Sequence, residues 1–122
     1  MSHILVIEDD EFFCEMLVQM LVQDGHQVTA TNDGAKALQL LERIHPDVIL
    51  TDILMPNMDG VELIMALSRQ CNSTPVVAMS GGRRSITSAF NLESAKLMGV
   101  KVTLTKPFTH VALHAALQEA QA

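Results

Sequence analysis

The chain has 122 residues, 48% hydrophobic and 18% charged, as expected of one soluble globular domain. Its net charge of −6 disfavours general binding to nucleic acid, which depends on neutralising phosphates. No apolar run approaches the ~20 residues of a membrane span, and the N-terminus lacks signal-peptide features. Cys14 and Cys71 show no metal-type spacing. We therefore expect a cytoplasmic protein with free thiols, no direct contact to nucleic acid and no membrane insertion.

The first half of the chain alternates short apolar runs with amphipathic segments. The run over residues 4–7 leads into a predicted helix over 11–24, which Asp10 caps and Gly25 ends. Residues 27–31 alternate apolar and polar side chains, as a strand with one covered face does. A turn at 32–34 precedes a second helix that we expect to continue to Ile44, where His45-Pro46-Asp47 stops it.

The second half repeats the same pattern. Apolar runs predict strands over 48–51, 76–79 and 100–104, and a capping pattern at 59–62 predicts a helix to about residue 70. For residues 81–98 we expect a loop followed by a helix, and Thr109 can cap a last helix. Apolar helix positions assign four methionines to the core, namely Met16, Met20, Met65 and Met98.

The strand patterns also predict the order of the sheet. Strands one, three and four are continuously apolar, as in a sheet covered on both faces, whereas strands two and five alternate, as edge strands do. We therefore predict an α/β, flavodoxin-like (βα)₅ fold, with a five-stranded parallel sheet in the order 2-1-3-4-5 and helices on both faces. Because the strands are predicted to be parallel, their C-terminal ends lie along one edge of the sheet.

Reactive polar groups follow four of these strands. Glu8 and Asp9 follow the first, Asp52 the third, Ser80 the fourth and Lys106 the fifth. Crowded carboxylates require a neutralising cation, and their hard oxygens suit Mg²⁺. A hydroxyl and an ammonium suit the oxygens of a phosphoryl group, and an aspartate can attack phosphorus to form an aspartyl phosphate. Singly, each residue has a simpler explanation as a cap, a turn residue or a surface charge.

The chain resembles the receiver domain of two-component response regulators over essentially its whole length. The resemblance rests on the motifs at residues 4–10, 51–60, 79–81 and 105–108. It implies phosphotransfer from the phosphohistidine of a sensor histidine kinase or a histidine phosphotransfer protein, and control of a downstream protein target.

The resemblance also assigns roles to single residues. Asp52 matches the phosphoacceptor, while Glu8 and Asp9 match the acidic pair, with Asp9 the direct Mg²⁺ ligand. Ser80 matches the switch hydroxyl and Lys106 the family's lysine. The remaining matches are the Leu54 carbonyl, a backbone metal ligand, and the Lys106–Pro107 peptide, which is usually cis in this family.

Two features depart from the family pattern. Thr103 stands where receivers usually carry an aromatic residue that rotates inward on activation, so we hypothesise that signalling uses another element, such as the loop after Ser80. That loop, at Gly81–Ser85, is a few residues longer than is typical and contains two arginines, which either lie in solvent or contact phosphate or a kinase. His110 and His114 are spaced as a helical metal pair, but two histidines alone are weak evidence for a site.

We predict one receiver domain over residues 1–122, without an output domain and without enzymatic activity beyond its own phosphorylation and dephosphorylation. One alternative is a pseudo-receiver that acts only as an interaction module, although Asp52 and Lys106 are both present. Another is a Mg²⁺-dependent aspartyl phosphohydrolase. Such enzymes commonly carry a second acid two residues after the nucleophile, and Leu54 occupies that position.

Overall fold

The computed structural model describes residues 2–52, 65–67, 69, 73–81 and 100–122. Five strands lie within these residues: β1 (His3–Ile7), β2 (Gln27–Thr31), β3 (Val48–Asp52), β4 (Val76–Gly81) and β5 (Val102–Lys106). They form one sheet in the order β2-β1-β3-β4-β5, and every neighbouring pair is parallel. The predicted flavodoxin-like order, with strands two and five at the edges, is confirmed.

Three helices have bounds within the described residues: α1 (Glu11–Gln23), α2 (Gly34–Leu40) and the C-terminal helix (His110–Gln121). Each begins after a side chain that accepts a hydrogen bond from a first-turn backbone N–H, and these caps are Asp10, Asp33 and Thr109. After α1 the chain turns at Gly25, whose φ of 87° lies in the left-handed region that glycine tolerates best. The predicted caps at Asp10 and Thr109 and the stop at Gly25 are therefore confirmed, whereas the capping pattern predicted at 59–62 lies outside the described residues. Within the described residues, no helix is both long and apolar enough to cross a membrane.

The two faces of the sheet bury separate apolar clusters because successive strand side chains point to opposite sides. On one face Leu50 packs with Leu17 of α1 and Leu113 of the C-terminal helix. On the other face Ile49 packs with Ala37 of α2 and with Leu67, and the backbone is helical at residues 65–67 and 69. Helices therefore cover both faces, as predicted.

The predicted end of the second helix is wrong. The helix of α2 ends at Leu40 rather than near Ile44, because the backbone tightens there into i to i+3 hydrogen bonds from Glu42 to Gln39 and from Arg43 to Leu40.

The prediction that the methionines lie in the core is also wrong in part. Met16 and Met65 are 41% and 48% exposed rather than core residues, whereas Met20 packs against the core as expected. Gly81, predicted to begin the loop, is instead the last residue of β4. The predictions for Met98 and for the rest of the loop and helix over 82–98 lie outside the described residues.

Candidate functional site

The carboxyl edge of the sheet brings together the residues that the strand ends predicted. Carboxylate oxygens of Glu8, Asp9 and Asp52 all lie within 4.8 Å of one another. Lys106 reaches the same point from β5: its Nζ lies 3.1 Å from Asp52 Oδ2 and forms an ion pair with Glu8 Oε1. Three acids thus face one ammonium, so the cluster carries excess negative charge when all of them are ionised. A divalent cation would balance it.

Glu8 is held inside the protein by its backbone and its side chain. Its N–H donates to the Thr31 carbonyl at 3.0 Å, and its Oε2 accepts from the Asp10 N–H at 3.0 Å. The residue is only 1% exposed. Burial, together with the charge of Asp52, raises the pKa of Glu8 to about 7, even though Lys106 and the Asp10 hydrogen bond favour the carboxylate. Without a metal, Glu8 therefore holds a proton near neutral pH much more readily than an exposed glutamate does.

Lys106 remains a cation in this setting. Burial by itself lowers the pKa of Lys106, but the hydrogen bond and charge of Glu8 and the charge of Asp52 outweigh that effect and raise it. The ammonium also lies 4.3 Å from the centroid of the Phe13 ring. The peptide that follows, Lys106–Pro107, is cis, as the family resemblance implied.

Ser80 lies beside the acidic cluster on the neighbouring strand. Met79 is the register partner of Asp52, so Ser80 stands one residue farther toward the carboxyl edge. The Ser80 hydroxyl is buried and has no hydrogen-bond partner among the described residues. A buried hydroxyl in that state favours an incoming acceptor. Leu54, whose carbonyl was the fourth predicted metal ligand, lies outside the described residues.

The other candidate residues do not join this site. His110 Nε2 lies 2.8 Å from Asp24 Oδ2, and His114 is exposed. Among the described residues, the acidic trio at the sheet edge is the one group whose potential metal ligands are gathered. Cys14 is a free thiol, as expected, while Cys71 lies outside the described residues. Thr103 is half-buried on β5.

Sequence reasoning missed the contacts of Phe13 in α1. Its ring covers the Lys106 ammonium and meets the Phe108 ring edge-on, with centroids 5.5 Å apart and planes at 85°. The only hint was that Phe108 follows the lysine-proline motif directly. Helical periodicity indicates only that Phe13 lies on the apolar face of α1, because periodicity carries no information about contacts between distant residues.

Solved receiver-domain structures share the fold of this chain over nearly its whole length. The receiver domain of the Francisella response regulator 1452 matches with a TM-score of 0.86 and 29% identity, over 99% of this chain and 97% of that one. The receiver domain of the sensor histidine kinase PA1611 from Pseudomonas aeruginosa, solved with a magnesium ion coordinated in its active-site cleft, matches with a TM-score of 0.86 and 27% identity, over 98% and 97% of the two chains.

Comparison of sequences points the same way. The transcriptional regulatory protein CseB of Streptomyces coelicolor is 33% identical over 117 residues, which are 96% of this chain and 48% of that protein. The chain spans less than half the length of this and the other curated relatives compared with it. The family model for the response regulator receiver domain matches residues 4–118. The chain therefore belongs to the receiver domain family of two-component response regulators.

Proposed function

We propose that residues 1–122 form one phosphoacceptor receiver domain, in which Asp52 takes a phosphoryl group from a phosphohistidine in a Mg²⁺-dependent step. The observation that carries this proposal is the position of Asp52, whose carboxylate faces two other acids within 4.8 Å and an ammonium at 3.1 Å. A nucleophile so placed has two neighbouring carboxylates that can help to hold a metal cation. It also has an ammonium within reach that can meet the phosphoryl oxygens.

The side chains divide the chemistry between them. An Asp52 oxygen attacks phosphorus, the bond from phosphorus to the donor's imidazole nitrogen breaks, and that nitrogen keeps the electron pair and takes up a proton. Lys106 neutralises charge on a phosphoryl oxygen, which is where most stabilisation is needed in such transfers. The Ser80 hydroxyl, buried without a partner among the described residues, donates a hydrogen bond to a second phosphoryl oxygen once the aspartyl phosphate has formed.

The acidic cluster fits Mg²⁺ by ligand type, because hard carboxylate oxygens are the ligands that this ion takes. Asp9 and Asp52 would hold it directly, with Glu8 beside them and the Leu54 carbonyl as a further ligand. Once bound, the ion would draw electron density from the phosphoryl oxygens and reduce repulsion between the phosphate and the carboxylates. Asp9 is partly exposed to solvent, which gives an ion a path into the cluster.

We further propose that the aspartyl phosphate acts through proteins. A sensor histidine kinase or a histidine phosphotransfer protein supplies the phosphoryl group, and the modified domain controls a protein target or passes the group on. Several relatives are transcriptional regulators, and these proteins are about twice this length or longer. The net charge of −6 favours a route to such an output through another domain or protein rather than direct contact with nucleic acid.

Incubation with Mg²⁺ and acetyl phosphate, followed by intact mass measurement, tests the assignment. We expect a gain of ~80 Da in the wild type and in Asp47→Asn, and none in Asp52→Asn or without Mg²⁺. A wild type that gains no mass would refute the proposal and favour a pseudo-receiver. Steady turnover of a small phosphate ester would instead favour a phosphohydrolase.

A further inference from the structure

Four contacts form a closed circuit around the Lys106 ammonium. Glu8 Oε2 accepts from the Asp10 N–H, and Asp10 Oδ1 accepts from the Phe13 N–H, both at 3.0 Å. The Phe13 ring centroid lies 4.3 Å from Lys106 Nζ, and the ammonium returns to Glu8 through the ion pair. The start of α1 is therefore tied to the end of β5 through both an acid and an aromatic ring. Of these contacts, the cap by Asp10 fixes the first turn of α1, in which Phe13 lies.

The ring matters because the ammonium has three donors to satisfy in a mostly dry place. Two sides face Glu8 and Asp52, and the lysine side chain is only 17% exposed. An aromatic ring face presents a region of negative potential to the third side of the ammonium. An aliphatic side chain would exclude water there without a compensating interaction. Phe108 meets the Phe13 ring edge-on, which holds the ring in place.

We propose that Phe13 is a positioning residue for Lys106, which holds the ammonium at the phosphoryl site through its ring face. This inference rests on the proposed function and assigns a device to that same site. When a phosphoryl oxygen displaces Glu8 as the partner of the ammonium, the ring contact persists because it needs no directed hydrogen bond. The lysine then changes acidic partners without returning to solvent.

Stepwise fluorination of the Phe13 ring tests the electrostatic part of this role, since fluorine removes negative potential from the ring face and barely changes its shape. We expect the rate of phosphorylation by acetyl phosphate to fall with each fluorine, by about fivefold in all. The matched control is the same series at Phe12, which is the preceding residue of α1 and is 86% exposed. Its rates should stay at the wild-type value. A flat series at Phe13 would overturn the proposal.

A second measurement needs no phosphorylation. The Lys106 ε-methylene protons should show a ring-current shift in nuclear magnetic resonance spectra of the folded, metal-free protein. The shift should disappear in Phe13→Leu and remain in Phe12→Leu. If wild-type phosphorylation fails but the shift behaves in this way, the proposed function is wrong and the contact stands. If the wild type is phosphorylated but the shift is absent or survives in Phe13→Leu, the positioning role is wrong and the proposed function stands.

Discussion

The two edges of the sheet treat charge in opposite ways. At the amino edge, Asp47 is exposed and its carboxylate accepts from the His3 N–H at 2.7 Å, while the Asp47 N–H donates to the His3 carbonyl at 2.7 Å. Both the carboxylate and the N–H of Asp47 therefore have backbone partners. At the carboxyl edge, three acids lie within 4.8 Å of one another and face one lysine, and both Glu8 and Asp52 are buried.

The two edges therefore contribute differently to the free energy of unfolding. Exposed acids that bond to the backbone stabilise the start of a strand at little expense. Buried acids that repel one another reduce stability, and such sites persist where a ligand relieves the repulsion. The proposed function places that ligand at the carboxyl edge, and the following experiments test the contrast, beginning with the largest expected effect.

Two lysines lie at opposite ends of β5 and form a matched pair, with Lys101 directly before the strand and Lys106 as its last residue. We expect Lys106→Met to slow phosphorylation by acetyl phosphate by about 100-fold, because one cation that stabilises developing charge is worth that much in comparable sites. Lys101→Met, at the exposed opposite end, should leave the rate unchanged. Intact mass against time measures both variants. Similar rates for the two would mean that the ammonium at the carboxyl edge plays no part in the transfer.

The buried glutamate should make stability depend on pH in an unusual direction. Because the folded-state pKa of Glu8 is raised from 4.5 to about 7, the folded protein holds this proton more tightly than the unfolded chain does. Its contribution is fully present below pH 4.5 and is lost as the pH rises to about 7. In metal-free protein, the free energy of unfolding of the wild type should therefore fall relative to Glu8→Gln by up to a few kcal/mol over that range.

Urea denaturation at several pH values measures this difference. Subtracting the curve of Glu8→Gln removes the contributions of the other acids, which both proteins share. Wild-type and variant stabilities that run parallel across the range would show that the pKa of Glu8 is not raised.

Acid removal should have opposite signs at the two edges. Asp52→Asn takes away one of three carboxylates that lie within 4.8 Å of one another, so we expect the metal-free protein to gain about 1 kcal/mol while phosphorylation is lost. Asp47→Ala removes a carboxylate that bonds to the backbone, so it should lose about 1 kcal/mol and keep phosphorylation. Urea denaturation without Mg²⁺ compares them. The contrast between the edges fails if both variants lose stability equally.

The smallest effect should come from the pair between α1 and the C-terminal helix. His110 and Asp24 lie 2.8 Å apart with side chains 43% and 25% exposed, and such surface pairs contribute about 0–1 kcal/mol. His110→Ala should therefore change the free energy of unfolding by less than about 0.5 kcal/mol and leave phosphorylation unaltered. A loss of several times that size would mean that the two helices depend on this contact.

Most of the described fold was predictable because it depends on local patterns. Alternation in strands two and five identified the edges of the sheet, and Asp10 and Thr109 marked helix starts because short polar side chains satisfy free N–H groups. The end of α2 was not predictable, since apolar spacing continues through Leu41 and Ile44 although the helix stops at Leu40. Periodicity indicates which face of a segment is buried. A tight turn after a helix can keep the same face buried, so the pattern does not show where the helix ends.

The sequence alone determined the order of the strands and therefore which residues meet at one edge, because parallel strands must end on the same side of their sheet. Only the tertiary structure decided which partner each charge takes there. Lys106 binds both Glu8 and Asp52 and lies against Phe13, and these residues come from separate parts of the chain. Such pairings depend on how far each side chain reaches and how deeply it is buried in the folded molecule. A local sequence pattern contains no information about either.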